Sequence, residues 1–577
     1  MIDRHFWLLL FWIIIGACLR FTNLGTLPPW TDESATIVFS LGNSFYNVPL
    51  NQFIGLQTLL EPFQPNADAK IVDVVNLLLT ESTHPPLYFV LTHLWLKLFP
   101  AVEGYVSIWA ARSLSASIGV MTIPAIFYFA KFAFRSLAIA QIAAAMMAIS
   151  PLGIFLAIQA RHYTLVILLV IASLSCFIDA FRSISRGKLI PLWLIFVWIG
   201  INCIGVATHY FFVLTLAAMA IAFIPLVWQQ FRHDKTVLWQ SQWIRIYLVA
   251  IGSFFGCLVW LPVLQTMENT SPTDWIYQSN PIQRWLEPIG RFLLWLMSMA
   301  ILLPSSLYDF PPVIVIIAGL LTLIFWFWSL PHIISGLKLQ QQIDREAISA
   351  LKGYLFGAIA LVFFFTYVVG MDLTLSGRFQ FIYFPAVIIL IAVGLNYEVR
   401  DSSKNKSSLQ QNVQRYFWLN SIDRSRKRIV VIFLSVGLLG GIVANLNLGY
   451  LQNHRPDLMV DTIVRGTNAP LVIATTYRHH GQTGRMIPLA WGLKNLPGVN
   501  SPQFFLATEN LENSNYKNSV EILKQKLTEI ERPLDFWAIN FRPEIDLEIQ
   551  NCLLDSQYIG MAGQYHTKSD YQNMYKI

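Results

Sequence analysis

The chain has 577 residues, of which 55% are hydrophobic, 14% aromatic and only 13% charged, and its mean hydropathy is +0.52. This composition excludes an ordinary soluble domain and indicates a protein that crosses a membrane many times. The net charge of +7 does not indicate nucleic-acid binding, because the Lys and Arg residues lie mainly in short loops between apolar segments. Four of the five cysteines lie in apolar stretches, so neither a disulfide framework nor a CxxC metal site is expected.

The first apolar segment and the acidic pair after it open the chain. Residues 6–24 could form a cleaved signal peptide, but the many later spans favour an uncleaved anchor. Asp32 and Glu33 follow, within residues 27–35. Two adjacent carboxylates at a membrane boundary are costly unless they have a function. We therefore predict a chemical role for the pair, with capping of the helix that begins near Ser34 as the alternative for either residue.

Eleven apolar segments in the sequence are long enough to cross a bilayer. They are residues 6–24, 106–130, 137–156, 163–181, 189–208, 211–229, 246–264, 312–332, 353–371, 379–396 and 429–449. Two shorter segments, 85–100 and 288–304, are flanked by proline and can either span the bilayer or lie at its interface.

The charges of the loops decide between these alternatives. If neither short segment spans, the basic loops with Lys131, Arg182 and Arg232 and the loop around 397–428 all face the cytoplasm. We therefore predict an α-helical polytopic protein of the plasma (inner) membrane with eleven spans, and thirteen as the alternative. Both counts place the N-terminus in the cytoplasm and the C-terminus outside.

In this topology, polar and ionisable residues from many helices fall at the external ends of the spans. They are Asp32 and Glu33 in the first external loop (25–84), and His84, Arg112, Arg161, His162, Tyr163, His209, Tyr210, Asp274, Trp275 and Arg378. Charges at a membrane boundary usually line a site or a pathway, so we predict an outward-facing cavity. As alternatives, Arg112 and Arg161 can be snorkelling side chains, and Trp275 can belong to an interfacial aromatic belt.

The tail, residues 451–577, differs in kind from the transmembrane domain predicted for residues 1–450. Strand-like runs at 470–474 and 534–540 flank a helical pattern over 520–530, which predicts a small external α/β domain. The tail has no phosphate-cradling glycine loop and no internal repeat. It can cap the cavity, act as a structural module or bind the acceptor.

Four short motifs resemble those of the GT-C integral-membrane glycosyltransferases. They are the Asp32-Glu33 pair, the His-Pro-Pro-Leu-Tyr segment at 84–88, Arg112 in Trp-Ala-Ala-Arg-Ser-Leu, and Gly-Arg-Phe at 377–379 before Pro385. Residues 1–450 look most like the bacterial branch related to protein O-mannosyltransferases and the aminoarabinose transferases of lipid A. The resemblance depends on the four motifs occurring together, because each motif alone is short.

The resemblance implies transfer of a sugar from a polyprenyl-phosphate donor to an acceptor at the external face. Asp32 would be the catalytic base and Glu33 its neighbour, since a carboxylate can take the acceptor's proton in a single, inverting displacement. Arg378 is the first choice for the donor phosphate, and Arg161 and Arg112 are the second choices, because a guanidinium offers bidentate donors to phosphate.

Other roles and other functions stay open at this stage. His84, at a position where related transferases can carry an acidic residue, can orient Asp32, bind a metal or shape the Pro-Pro turn. A divalent metal could bind a carboxylate with His162, His209 and Tyr210, although their spacing matches no zinc pattern. A transporter or flippase of lipid-linked sugars predicts inverted repeats and broken helices, and neither is evident in the sequence.

A channel or scaffold would leave the acidic pair unexplained. The loop 265–311, which carries the Asp274-Trp275 pair, is expected to overhang the cavity. The residues expected to support the catalytic residues or to contact substrate are His84, His162, Tyr163, His209, Tyr210, Asp274 and Trp275. The sequence names neither the sugar nor the acceptor, which can be a protein, a lipid or a glycan.

Overall fold

The computed structural model describes most of the chain. The described residues are 4–82, 84–266, 275–277, 284–396, 412–494, 496, 501–510, 515–543, 553–554, 560–567 and 575–576. They divide into two compact units. Of these residues, the membrane unit comprises 4–22, 115–266 and 275–451, and the head unit comprises 23–114 and 452–576.

Helices dominate both units. In chain order they are α1 (Arg4–Phe21), α2 (Thr31–Ser40), α3 (Leu56–Leu60), α4 (Ile71–Glu81), α5 (Leu87–Leu96), α6 (Ile108–Phe134), α7 (Leu137–Ile149), α8 (Pro151–Ala157), α9 (Tyr163–Ser185), α10 (Leu192–Thr208), α11 (Phe212–His233), α12 (Ser241–Leu258), α13 (Leu261–Thr266), α14 (Leu286–Ser298), α15 (Pro312–Ile343), α16 (Arg345–Phe364), α17 (Phe384–Leu395), α18 (Asn412–Asn445), α19 (Pro456–Gly466), α20 (His480–Leu493) and α21 (Lys517–Thr528). A π-helical turn, Phe365–Val369, extends α16, and a 3-10 helix, Gly377–Ile382, precedes α17.

Eight helices of the described residues are long and apolar enough to cross a membrane. They are Arg4–Phe21, Ile108–Phe134, Tyr163–Ser185, Phe212–His233, Ser241–Val263, Pro312–Ile343, Arg345–Val369 and Lys427–Asn445. The helices α7 and α8 would add a ninth span if counted as one, but they are bent by 53°. The bend falls at Ser150 and Pro151, because proline cannot donate the next helical hydrogen bond and its ring clashes with the preceding turn.

Every segment predicted to span is helical, but length alone supports fewer spans than the predicted eleven. The remaining two segments form α10, with 17 residues, and α17, with 12 residues. At 1.5 Å per residue these helices reach about 26 Å and about 18 Å, against a hydrocarbon core of about 30 Å. The same argument counts against the thirteen-span alternative, because the segment 85–100 yields the ten-residue α5 and 288–304 the thirteen-residue α14.

A six-stranded mixed sheet forms the centre of the head unit. The strands of the unit are β1 (Phe53–Gly55), β2 (Leu471–Tyr477), β3 (Gln503–Thr508), β4 (Asp535–Ala538), β5 (Leu553–Leu554), β6 (Met561–Ala562), β7 (Tyr565–His566) and β8 (Tyr575–Lys576). The sheet order is β1-β3-β2-β4-β8-β5, with β2 parallel to β3 and β4, and the others antiparallel to their neighbours. The predicted strands of the tail are confirmed as β2 and β4, and the predicted helix as α21.

The first loop and the tail belong to the same unit, which differs from the predicted domain boundaries. The sequence places residues 25–84 in the transmembrane domain, but the structure groups 23–114 with the tail. One reason is β1, whose Phe53 pairs with Phe505 of β3 in an antiparallel register. The other is the packing of α2 against α20.

Candidate functional site

Glu33 of the head unit forms a buried ion pair with Arg112. It lies in the first turn of α2 and is 1% exposed. Its two carboxylate oxygens accept hydrogen bonds from Nε and Nη2 of Arg112, both at 2.8 Å. Its Oε2 also accepts the backbone N–H of Trp30 at 3.2 Å. Glu33 therefore caps α2, as the alternative from the sequence proposes, and its place in the chemistry stays a prediction.

The structure also argues against Arg112 as a ligand of the donor phosphate. Its Nη1 donates to the carbonyl oxygens of Leu24 (3.0 Å) and Leu27 (2.9 Å), and its Nη2 donates to that of Pro28 (3.1 Å). With the two bonds to Glu33, these contacts use all five N–H groups that a guanidinium has. Since Arg112 is only 6% exposed, it does not snorkel either. Arg112 instead fixes the loop that leads into α2.

Asp32 differs from its neighbour, because it is partly exposed. The positive charge near it comes from Arg485 of α20, a residue that sequence reasoning missed. Burial lowers the pKa of the Arg485 guanidinium, and the charges of Tyr565 and Asp32 raise it. Asp32 and Arg485 are therefore close enough to interact electrostatically.

His84 has contacts within its own turn. Its Nδ1 lies 3.2 Å from Oγ of Ser82, and its ring centroid lies 5.9 Å from that of Phe89 in α5. These contacts support the turn-shaping role among those left open by the sequence. Asp274, the acidic residue predicted to overhang the cavity, lies outside the described residues.

In the membrane unit, Arg378 rests on aromatic rings. Its guanidinium carbon lies 5.0 Å from the ring centroid of Trp275 and 5.5 Å from that of Phe379. The two rings stack on each other at 6.1 Å with an interplanar angle of 12°. Trp275, which the sequence leaves between belt residue and substrate contact, thus helps to orient Arg378. Cation–π contacts of this kind hold a guanidinium in place.

A second group of predicted residues lies together in the same unit. Arg161, His162 and Tyr163 are each 1% exposed. The ring of His162 lies 4.7 Å from that of His209, and the Arg161 guanidinium lies 5.6 Å from the Tyr163 ring. Tyr210, the remaining member, packs against Trp260 at 5.9 Å.

His209 links the two groups electrostatically. Burial lowers the pKa of His209 to about 3, and the positive charges of Arg161 and Arg378 contribute to the shift. The imidazole is therefore neutral at neutral pH. Two guanidinium charges thus act on one partly buried ring of the membrane unit.

A hydrogen-bond network missed by the sequence analysis supports the loop before Arg378. The carboxylate of Asp372, which is fully buried, accepts hydrogen bonds from Nη2 of Arg291 (2.6 Å) and from the hydroxyl of Thr374 (2.6 Å). The backbone N–H of Asp372 donates to the carbonyl of Ile276 at 3.1 Å. This bond ties the loop to the segment that carries Trp275. A lone acidic residue inside an apolar stretch is a signal that could have found Asp372.

A metal site is not assembled by these residues. Within the part of the chain that the structure describes, no group of three or more His, Cys, Asp and Glu side chains could hold a metal ion. His162 and His209 lie together, but no described carboxylate completes a set with them.

Comparison with known proteins gives one family match and several likenesses in fold. A family model for dolichyl-phosphate-mannose-protein mannosyltransferase matches residues 91–277. The crystal structure of ArnT from Cupriavidus metallidurans bound to undecaprenyl phosphate is similar over 100% of this chain and 99% of that chain, with 12% identity and a TM-score of 0.50. No curated protein sequence matches the chain.

Two further structures are similar at lower TM-scores. ArnT from the same organism in the apo state matches over 98% of this chain and 97% of that chain, with 12% identity and a TM-score of 0.48. The Archaeoglobus fulgidus oligosaccharyltransferase in complex with Zn and sulfate matches over 84% of this chain and 61% of that chain, with 12% identity and a TM-score of 0.44. The fold assignment depends on the first structure alone.

The fold of this chain, a multi-pass helical unit and a head unit with a small mixed sheet, is similar to that of the ArnT structure. With the family match over residues 91–277, about a third of the chain, this likeness indicates a membrane glycosyltransferase.

Proposed function

We propose that this enzyme transfers a sugar from a polyprenyl-phosphate donor to an acceptor hydroxyl or similar group at the external face of the membrane, with inversion at the anomeric carbon. The similar ArnT structure holds undecaprenyl phosphate, and the matching family model is named for a dolichyl-phosphate-linked sugar. Both descriptions favour a lipid-phosphate donor for this chain.

The placement of two arginines of the membrane unit near one histidine is the observation that carries the proposal. The charges of Arg161 and Arg378 both act on His209, which is itself neutral. Guanidinium groups form strong hydrogen bonds to anions, so two of them near one place favour the binding of an anion there. A phosphate diester is such an anion. We propose Arg378 as its main ligand, with Arg161 contributing charge.

Asp32 is the carboxylate best suited to act as the base. Glu33 is buried and bonded to Arg112, whereas Asp32 is partly exposed. In the proposed step, the acceptor oxygen bonds to the anomeric carbon as its proton passes to Asp32. The bond from the anomeric carbon to the phosphate oxygen breaks, and the phosphate leaves with the electron pair. Arginine charge stabilises this leaving group, so protonation of the phosphate is not needed.

The experiment uses the full chain in lipid nanodiscs with polyprenyl-phosphate mannose and polyprenyl-phosphate aminoarabinose as donors. Release of free polyprenyl phosphate reports turnover, and binding of undecaprenyl phosphate alone reports the donor site. Asp32→Asn is expected to slow turnover by about 10²- to 10⁴-fold with little change in lipid binding, because only the proton acceptor is lost. Arg378→Ala is expected to weaken lipid binding by about tenfold or more.

Matched controls are Asp461→Asn in the head unit and Arg284→Ala in the membrane unit, because both residues belong to exposed ion pairs. Neither is expected to change turnover or binding. An unchanged rate in Asp32→Asn would contradict the proposal and favour the transport of lipid-linked sugars.

A further inference from the structure

A histidine of the tail bridges the acidic pair's helix to Arg485. Nδ1 of His454 lies 2.8 Å from the hydroxyl oxygen of Thr31, the residue before Asp32, and Nε2 of His454 lies 3.1 Å from Nη2 of Arg485. A guanidinium can only donate, so Nε2 accepts and the ring proton lies on Nδ1, which donates to Thr31. Both ring nitrogens of His454 thus have a partner in this arrangement.

Packing holds this bridge on two further sides. The His454 ring makes edge contacts with Trp30 at 6.2 Å and with Tyr565 at 6.1 Å. Tyr565 is fully buried, and its hydroxyl donates to the backbone carbonyl of Arg485 at 3.2 Å. Both the side chain and the backbone of Arg485 are thus fixed.

Arg485 interacts electrostatically with Asp32. Burial lowers the pKa of the Arg485 guanidinium, and the charges of Tyr565 and then of Asp32 raise it, Asp32 being the carboxylate among these causes. Arg112, the other cation at this end of α2, is neutralised by Glu33. The N-terminal end of a helix also favours an anion, so the two effects act in the same direction on Asp32.

Other titratable groups on the helices packed against α2 lie at its opposite end. His93 of α5 has its Nδ1 2.8 Å from the carbonyl oxygen of Ser40, the last residue of α2. His480 of α20 stacks on Phe45 at 5.6 Å, beyond that end of the helix. Glu81 of α4, which also packs against α2, accepts a hydrogen bond from the Ser44 hydroxyl, beyond the same end of α2. Of these groups, Arg485 is the one whose pKa responds to the charge of Asp32.

We propose that Arg485 and His454 are positioning residues for the catalytic base: His454 fixes the Arg485 guanidinium beside Asp32, and the charge of Arg485 holds Asp32 ionised and ready to accept a proton. The proposal rests on Asp32 being the base. It gives the tail a part in catalysis, because His454, Arg485 and Tyr565 all come from the tail.

The experiment measures the protonation of Asp32 independently of activity. Dicyclohexylcarbodiimide modifies protonated carboxyl groups, and mass spectrometry of the peptide with Asp32 gives the extent of labelling at each pH in the full-length protein. Removal of a nearby cation favours the protonated carboxyl. We therefore expect Arg485→Gln to move the labelling midpoint upward by about one pH unit, which is about tenfold more labelling above the original midpoint.

Companion variants separate charge from structure. Arg485→Lys is expected to keep the original midpoint, and His454→Ala is expected to raise it less than Arg485→Gln does. Arg465→Gln, at an exposed ion pair of α19, is the matched control and should change nothing. The acid limb of the kcat/KM profile is expected to move with the labelling midpoint in each variant.

An unchanged labelling midpoint in Arg485→Gln would overturn the proposal, whatever the activity of that variant. An unchanged midpoint in His454→Ala would overturn the bridging role of the histidine. If Asp32→Asn retained full turnover while the midpoint still moved in Arg485→Gln, the proposed function would fail and the electrostatic coupling would stand.

Discussion

At the scale of single residues, two neighbouring carboxylates have different environments. Glu33 is 1% exposed and binds Arg112 in a bidentate pair, whereas Asp32 is partly exposed beside Arg485. The sequence shows the two as equivalent members of one motif. Only the contacts of the folded head unit separate a residue that holds a loop in place from a residue that can meet a substrate.

Loss of the Glu33 charge is expected to destabilise the head unit. In Glu33→Gln the guanidinium of Arg112 stays buried without a counter-charge, and breaking a buried pair in this way costs about 3–5 kcal/mol. The measurement is the midpoint of thermal unfolding of the purified protein, together with the rate of proteolysis in the loop 23–30. We expect a lower midpoint and faster cleavage of this loop.

The control for this prediction removes an exposed partner. Asp461→Asn breaks the pair with Arg465, whose side chains are 54% and 73% exposed. Exposed pairs contribute about 0–1 kcal/mol, so the midpoint should change little. Equal stability of Glu33→Gln and Asp461→Asn would show that the Arg112 pair does not hold the loop.

At the scale of elements, the loop between α16 and α17 determines where Arg378 points. Asp372 joins Arg291 of α14 to this loop and, through its backbone, to the segment with Trp275. Asp372→Asn is expected to weaken undecaprenyl phosphate binding by about tenfold, because small displacements of positioned groups are costly even when the groups themselves remain. The measurement is the Kd for undecaprenyl phosphate.

The matched variant acts on the same arginine. Glu287→Gln removes the exposed partner of Arg291, which lies 3.2 Å from Nη1, and leaves Asp372 in place. This variant should bind the lipid as the original protein does. If the two variants bound it equally well, Asp372 would not be a positioning residue.

The sequence predicts whether a segment is helical better than it predicts the residues at which the helix begins and ends. Continuous apolar runs revealed every long helix, since burial in lipid requires them. The apolar run 137–156 contains Ser150 and Pro151, which end α7 and start α8. The run 379–396 starts as a 3-10 helix, and no change in residue type marks where α17 begins.

At the scale of the whole molecule, the tail boundary near residue 450 was predictable because polarity changes there. The grouping of the first loop with the tail was not, because it depends on non-local contacts. Phe53 pairs with Phe505, and Thr31 contacts His454. No local sequence pattern in the first loop or in the tail predicts that the two segments contact each other. For the same reason the sequence could suggest Asp32 but not its partner Arg485.

Membership of one head unit constrains the number of membrane crossings. Residues 23–114 and 452–576 share a sheet, so they lie on the same side of the membrane. The chain between them must therefore cross an even number of times. Among the described residues, seven of the helices long enough to span begin at α6 or later, which is an odd number. Counting described helices only, an even total requires an odd number of crossings from the three other candidates, which are the bent pair α7–α8, α10 and α17.

Loop charge identifies these additional crossings. The bent pair α7–α8 and α10 must both cross if the basic loops with Arg135, Arg182 and Arg232 all face the cytoplasm. The even count then requires α17 to cross too. With the 3-10 helix before it, residues 377–395 reach about 30 Å, which is enough to span the core. The eleven spans therefore stay a prediction from the loop charges, since eight helices of the described residues are long and apolar enough to span by themselves.

This topology makes a prediction that reporter fusions can test. A C-terminal fusion to alkaline phosphatase is expected to be active, because the enzyme folds only outside the cytoplasm, and a C-terminal β-galactosidase fusion inactive. The opposite pattern is expected for fusions after Lys188, between α9 and α10, since this loop lies on the cytoplasmic side in the same arrangement. Active phosphatase at both sites would mean that the bent pair α7–α8 does not cross. The even count would then leave only one of α10 and α17 as a span, and the basic loops would lie on different faces. Active β-galactosidase at the C-terminus would place the head unit, and Asp32 with it, in the cytoplasm.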